Sequence, residues 1–218
     1  MARRPKRAQP QAPRRRRPAR TGQVGKARGG KRQDPFTKAL RAVADFVEKS
    51  EYPATIIGGV AVIAHGFARA TVDIDVALLA DAAALPNTLK IAASSGLRPR
   101  VKDALRFAQE NLVLLLEDTV SAVPVDVSLA MQPFEANAMR RREMRNVAGI
   151  RVPVCPLETL LIYKMVAGRP KDFDDVKALL ATGVPFDRGQ VENALVEIDA
   201  VLDSSALAEF RRLMKLDS

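Results

Sequence analysis

Apolar residues recur at helical spacing through Phe36, Leu40, Val43, Phe46 and Val47, and predict a helix ending near Ser50. Asp34-Pro35 before it has the form of an N-cap followed by proline at the first helical position. Pro53 breaks the pattern, and Ala54-Thr-Ile-Ile57 reads as a short buried strand. Gly58-Gly59 reads as a turn into a second helix, Val60 to about Phe67. Thr71 to Leu79 alternates as a strand does, with Val72, Ile74 and Val76 directed into a core. A helix over 82–95 closes at Gly96, and a shorter one spans 104–110. Strands follow at 111–116 and 123–129, and Pro124 requires the second to begin there or lie at an edge. A helix over 131–145 and a strand over 150–154 complete this half. From Pro156 the pattern is helical: 156–167, 170–181, 187–202 and 204–216. Strands mixed with helices, then a run of helices, predict an α/β or α+β core with a helical C-terminal half.

Charge divides the chain. Residues 1–33 hold thirteen of the 35 basic side chains and no acid, leaving 22 basic against 25 acidic residues, a net of −3, in 34–218. The Pro-, Gly- and Gln-rich arm cannot bury apolar surface and is expected to be disordered. Counterion release suits it to non-specific nucleic-acid binding; a solubilising extension is the alternative. With a single cysteine, Cys155, there is no internal disulfide framework. No stretch is apolar enough to span a membrane or to form a secretory signal, so a cytoplasmic protein without a membrane partner is expected.

The chemistry centres on Asp73 and Asp75. Alternation places both carboxylates on one strand face, about 7 Å apart along the chain. Like charges so placed repel, and hard carboxylate oxygens suit Mg²⁺ or Mn²⁺. Asp126, in Val123-Pro-Val-Asp-Val-Ser-Leu129, is another acid in an apolar strand, and three carboxylates converge if the two strands are neighbours. Gly58 and Gly59 would let backbone N–H groups approach a phosphate at a helix start. A lone Asp-x-Asp is commonly only a solvent-facing pair, and two glycines are commonly only a tight turn.

Gly58-Gly59, a helix, then Gly66-x-x-Arg69-x-Thr71-x-Asp73-Ile-Asp75 resembles motif I of the polymerase β-type nucleotidyltransferases. Within that superfamily it most resembles the minimal proteins grouped with the AbiEii/AbiGii abortive-infection toxins. Pro156-Leu-Glu158 through Lys164 to Arg169-Pro-Lys171-Asp172-Phe-Asp174-Asp175 is similar to a second motif of the same proteins, and the resemblance covers roughly residues 52–182. It implies a small mixed nucleotidyltransferase sheet flanked by helices, with 183–218 as C-terminal helices. It also implies attack of an acceptor hydroxyl on the α-phosphate of an NTP. Carried over by position, Gly58 and Gly59 contact the triphosphate, and Asp73 and Asp75 bind the metal ions, Mg²⁺ or Mn²⁺. Asp126 completes the metal-binding carboxylate cluster as its third ligand and deprotonates the acceptor. Lys164 reaches the phosphates, Lys171 assists, and Asp172 or Asp175 positions Lys164 or the nucleotide. Arg69 and Thr71 are candidates for touching phosphate, an ordinary ion pair being the alternative for Arg69. Many members carry serine where this chain has Gly59, so one expected hydroxyl is missing.

The implied partners are an NTP, an acceptor that is RNA, tRNA or a protein hydroxyl, and a cognate antitoxin if the role is a toxin's. A small-molecule, antibiotic-type transferase and a non-catalytic nucleic-acid-binding module are the competing functions. His65 is expected to pack near the turn. Arg140, Arg141, Arg142, Arg145 and Arg151 form either a face for RNA or a solvated surface.

Overall fold

The computed structural model describes residues 34–216, so the basic arm expected over 1–33 lies outside the described residues. The elements are α1 (Pro35–Lys49), β1 (Ala54–Ile57), α2 (Gly58–Ala64), β2 (Ile74–Leu78), a 3₁₀ turn (Ala82–Ala84), α3 (Leu85–Ser94), β3 (Leu97–Pro99), α4 (Ala104–Asn111), β4 (Val113–Asp118) and β5 (Pro124–Leu129). There follow α5 (Pro133–Arg141), β6 (Glu143–Val147), β7 (Ile150–Val154), α6 (Leu157–Ala167), α7 (Pro170–Ala181), α8 (Arg188–Leu202) and α9 (Ala206–Leu216). The Asp34 carboxylate caps α1 by accepting from the Thr37 N–H at 3.3 Å, with Pro35 in the first turn.

The seven strands form one mixed sheet in the order β3-β4-β5-β2-β1-β7-β6. β2 runs antiparallel to β1 and parallel to β5, and β1 runs parallel to β7. One face carries Ile56, Ile74, Val76, Leu114, Leu116, Val125, Val127 and Val154, all fully buried. The other face of β4 and β5 stays half-buried at Val113, Leu115, Asp126 and Ser128. This two-residue alternation makes β5 a one-sided strand, although it lies between β4 and β2. Pro124 is tolerated there because the strand begins with it.

Helix α6 is the hub of the C-terminal half and packs against α2, α5, α7, α8 and α9. It is apolar on nearly every side, and eight of its eleven residues are buried, Lys164 among them. No helix among the described residues is long and apolar enough to cross a membrane.

Several expectations are corrected. Residues 131–145 are not one helix. Chain 143–147 is an edge strand, paired with β7 through a two-residue turn in which Ala148 and Gly149 have φ of 50° and 81°. Its mostly exposed side chains erase the alternation a strand would show. The three-residue β3 went unpredicted, being too short to show a period. Helix α2 begins at Gly58 itself, so strand passes into helix without an intervening turn. Strand β2 begins only at Ile74, and Val72 is 78% exposed rather than in the core.

Candidate active site

The β1–α2 junction and the start of β2 are in direct contact. Gly58 has φ of +62°, and a Cβ built on it would lie 1.9 Å from Asp75 Oδ2. Only glycine permits both the left-handed backbone and that approach. A Cβ on Gly59 would lie 2.5 Å from Thr71 Oγ1 and 3.2 Å from an Arg69 guanidinium nitrogen. A serine at 59 therefore has no room, because the Thr71 hydroxyl takes the space its side chain would need. The Gly59 N–H lies near enough to the Asp75 carboxylate to favour its charged form.

The sheet register decides which acids meet. Ile57 faces Asp75, Asp75 faces Asp126, and Asp126 faces Leu115. Register partners on neighbouring strands project to the same side, so Asp75 and Asp126 share one face. Asp73 sits just ahead of β2, where its Oδ1 accepts from the Thr71 hydroxyl at 3.0 Å. Burial raises the Asp75 carboxyl above its ordinary range, and the charges of Asp73 and Asp126 raise it further; Lys164 and the Gly59 N–H oppose them.

Asp126 also has a partner that the sequence did not indicate. Arg100, immediately after β3, donates from Nη2 to Asp126 Oδ1. No three His, Cys, Asp or Glu side chains among the described residues are gathered so that they could hold a metal ion. The donors nonetheless fit a hard divalent cation at Asp73 and Asp75: their oxygens are the right type, and their mutual repulsion is what a cation relieves.

A second cluster flanks the acids. Lys164 is 6% exposed, and its Nζ lies 2.9 Å from Asp172 Oδ1 and 2.7 Å from Asp175 Oδ2. Arg69 Nη1 donates to both oxygens of Asp175 at 2.6 and 2.5 Å. Arg169 Nε donates to Asp172 Oδ2 at 2.5 Å. Three cations thus share two buried carboxylates, and the surplus charge faces the cleft. Burial alone would raise the Asp172 carboxyl, but Arg169 and Lys164 outweigh it and hold the group below the usual range. A cavity of about 200 Å³ brings Gly58, Gly59, Asp73 and Asp75 together with Lys164 and Lys171. Arg69 and Asp172 line it too, whereas Asp126 stands outside it, on the open sheet face.

Other candidates are placed elsewhere. His65 is buried with a ring nitrogen 2.9 Å from the Cys155 carbonyl oxygen, so Nε2 carries the proton it donates. Burial pushes the Cys155 thiol up to about 12, which makes it a packed residue and not a nucleophile. Arg142 and Arg151 line a cavity of about 680 Å³ beside Tyr52 and Pro53, at the opposite end of β1 from Gly58. Sequence reasoning missed Arg100, whose only signal was a run of cations at Arg98, Arg100 and Lys102.

No known family profile matches the sequence, and no curated protein matches it. Solved structures do. The solution structure of the antibiotic-resistance factor ANT(2'')-Ia matches at 18% identity and a TM-score of 0.51, over 78% of this chain and 93% of that one. The crystal structure of ANT(2'')-Ia in complex with adenylyl-2''-tobramycin matches at 16% identity and 0.49, over 79% and 94%. An antigenic nucleotidyltransferase-like protein from Paracoccidioides brasiliensis matches at 19% and 0.47, over 78% and 91%. The first of these likenesses bears on the fold alone: the mixed sheet with its helices is a nucleotidyltransferase-like fold.

Proposed function

We propose that the protein transfers a nucleoside monophosphate from an NTP to a hydroxyl of a phosphate-bearing acceptor, RNA being the best fit. The observation that carries this is the Asp75–Asp126 register pair, with Asp73 beside it and glycine backbone packed against Asp75. In the reaction the acceptor oxygen bonds to the α-phosphorus, the bond from that phosphorus to the β-phosphate's bridging oxygen breaks, and pyrophosphate leaves with the electron pair. The hydroxyl proton passes to the Asp126 carboxylate and from there to solvent. Asp73 and Asp75 would hold Mg²⁺ or Mn²⁺, which when bound neutralises phosphate charge in the transferring group. The surplus cation of the Arg69–Asp175–Lys164–Asp172–Arg169 cluster, with Lys171, gives the triphosphate an electrostatic seat.

A cationic antibiotic acceptor is the second function, favoured by the fold likeness to ANT(2'')-Ia. Charge speaks against it here, because Arg100 stands against Asp126, with exposed Arg98 and Lys102 two residues to either side along the chain. The test is to incubate the protein with labelled NTPs and either total RNA or an aminoglycoside panel. Label should move to RNA, and Asp73→Asn with Asp75→Asn should abolish it. Unchanged transfer by that double variant would end the proposal, and label on the aminoglycoside alone would select the second function.

A further inference from the structure

Arg100 is fixed at three points across the open face of the sheet. Its backbone N–H donates to the Leu115 carbonyl at 3.0 Å, its Nε donates to the Leu116 carbonyl at 3.1 Å, and its Nη2 reaches Asp126. Leu115 is the register partner of Asp126, so the guanidinium crosses one strand to meet the carboxylate. Both side chains are 31% exposed. The pair is thus ordered enough to form, yet open enough for an anion from solvent to reach the guanidinium.

This creates a conflict. A carboxylate with one oxygen tied to a guanidinium and its charge offset by that cation is a weaker partner for a divalent ion or for a hydroxyl proton. Of the three acids on this row and beside it, Asp126 alone is engaged by an arginine among the described residues. The conflict resolves if something else takes the arginine. A guanidinium matches phosphate in a two-point fork and binds it at least as well as a carboxylate. Arg98, held by Glu117 at 2.8 Å on β3, and exposed Lys102, two residues beyond Arg100, offer a chain of phosphates further cations close by along the chain.

We propose that Arg100 is a positioning residue that withholds Asp126 until a phosphate of the acceptor draws the guanidinium away. It rests on the function proposed above and adds to it that acceptor and divalent cation bind cooperatively. Phosphate binding at Arg100 frees Asp126, the freed charge adds to that of Asp73 and Asp75, and the cation binds more tightly. By linkage the cation tightens the acceptor by the same factor. A cationic acceptor triggers no release.

The test measures Mn²⁺ binding to the full-length protein by electron paramagnetic resonance, without nucleotide. Arg100→Met should tighten Mn²⁺ by about fivefold, the upper range for a partly exposed ion pair. Arg100→Lys, which keeps the charge, should fall between the two. Adding Asp126→Asn to Arg100→Met should remove the gain. A five-nucleotide RNA should tighten Mn²⁺ in the parent protein but not in Arg100→Met, and the same oligomer with uncharged methylphosphonate links should do nothing. Equal Mn²⁺ affinity in the parent and Arg100→Met would overturn the proposal, as would a gain that survives Asp126→Asn. Failure of the cleft itself reads differently: Mn²⁺ binding would then be indifferent to Asp73→Asn with Asp75→Asn.

Discussion

Gly58 and Asp75 are locked together, since the carboxylate oxygen lies 1.9 Å from where any β-carbon at residue 58 would have to sit. Gly58→Ala must therefore displace Asp75 and also hold alanine at φ of +62°. The backbone strain alone is about 1–2 kcal/mol. The expected outcome is a clear fall in melting temperature together with loss of nucleotide transfer. Thermal unfolding and a labelled-NTP assay on the same preparation check it.

Gly59 and Thr71 make a second such pair, resolvable by a double-mutant cycle. Gly59→Ser alone should destabilise, because its Cβ meets Thr71 Oγ1 at 2.5 Å and Thr71 Cβ at 3.0 Å. With Thr71→Gly the same serine should be accommodated. A coupling energy of about 1 kcal/mol or more in urea unfolding is expected, whereas strict additivity would contradict the steric account.

Lys164 should prove far more costly to remove than a surface lysine at the same distance from its acid. Lys164→Met breaks two buried pairs and should cost about 3 kcal/mol. Lys49→Ala breaks an exposed pair of 2.7 Å and should cost no more than about 0.5 kcal/mol. Arg169 and Arg69 still neutralise Asp172 and Asp175 in the Lys164 variant, so it should fold and show its defect in nucleotide affinity. Chemical denaturation and nucleotide titration separate the two effects.

His65 should make the fold sensitive to mild acid. Burial is the main cause that lowers its pKa below the ordinary value, and the Cys155 carbonyl opposes it only in part. Between the folded pKa and about 6.5 the unfolded chain binds a proton that the folded chain refuses. Stability from this group is therefore complete above about pH 6.5 and declines as pH falls, by at most about 1.4 kcal/mol per unit. His65→Gln, which keeps a donor for the Cys155 carbonyl, should flatten the profile between pH 7.5 and 5.5. Melting curves across that range check it.

Much was legible along the chain because its signals are local. Alternation in 124–129, a proline start and apolar period in 170–181, and the apolar run 54–57 each specify an element within a few residues of its ends. The two glycines and the Asp73-Ile-Asp75 spacing likewise marked segments that the fold brings into contact, since a backbone that must approach an acid leaves room only for glycine. Strand β6 escaped because an edge strand with solvent on most of its side chains has no apolar period to read.

What only the tertiary structure decided is pairing. That Asp126 stands opposite Asp75 follows from a parallel register between strands some fifty residues apart, and no local pattern encodes that register. Arg100 meets Asp126 only because a three-residue strand pairs with β4 and lays a side chain across it. Lys164 is charged yet buried because two acids from the next helix fold back onto it. Sequence composition can nominate such groups. Which charge neutralises which depends on distances of about 3 Å between groups on different elements, and those are set only when strands pair and helices pack.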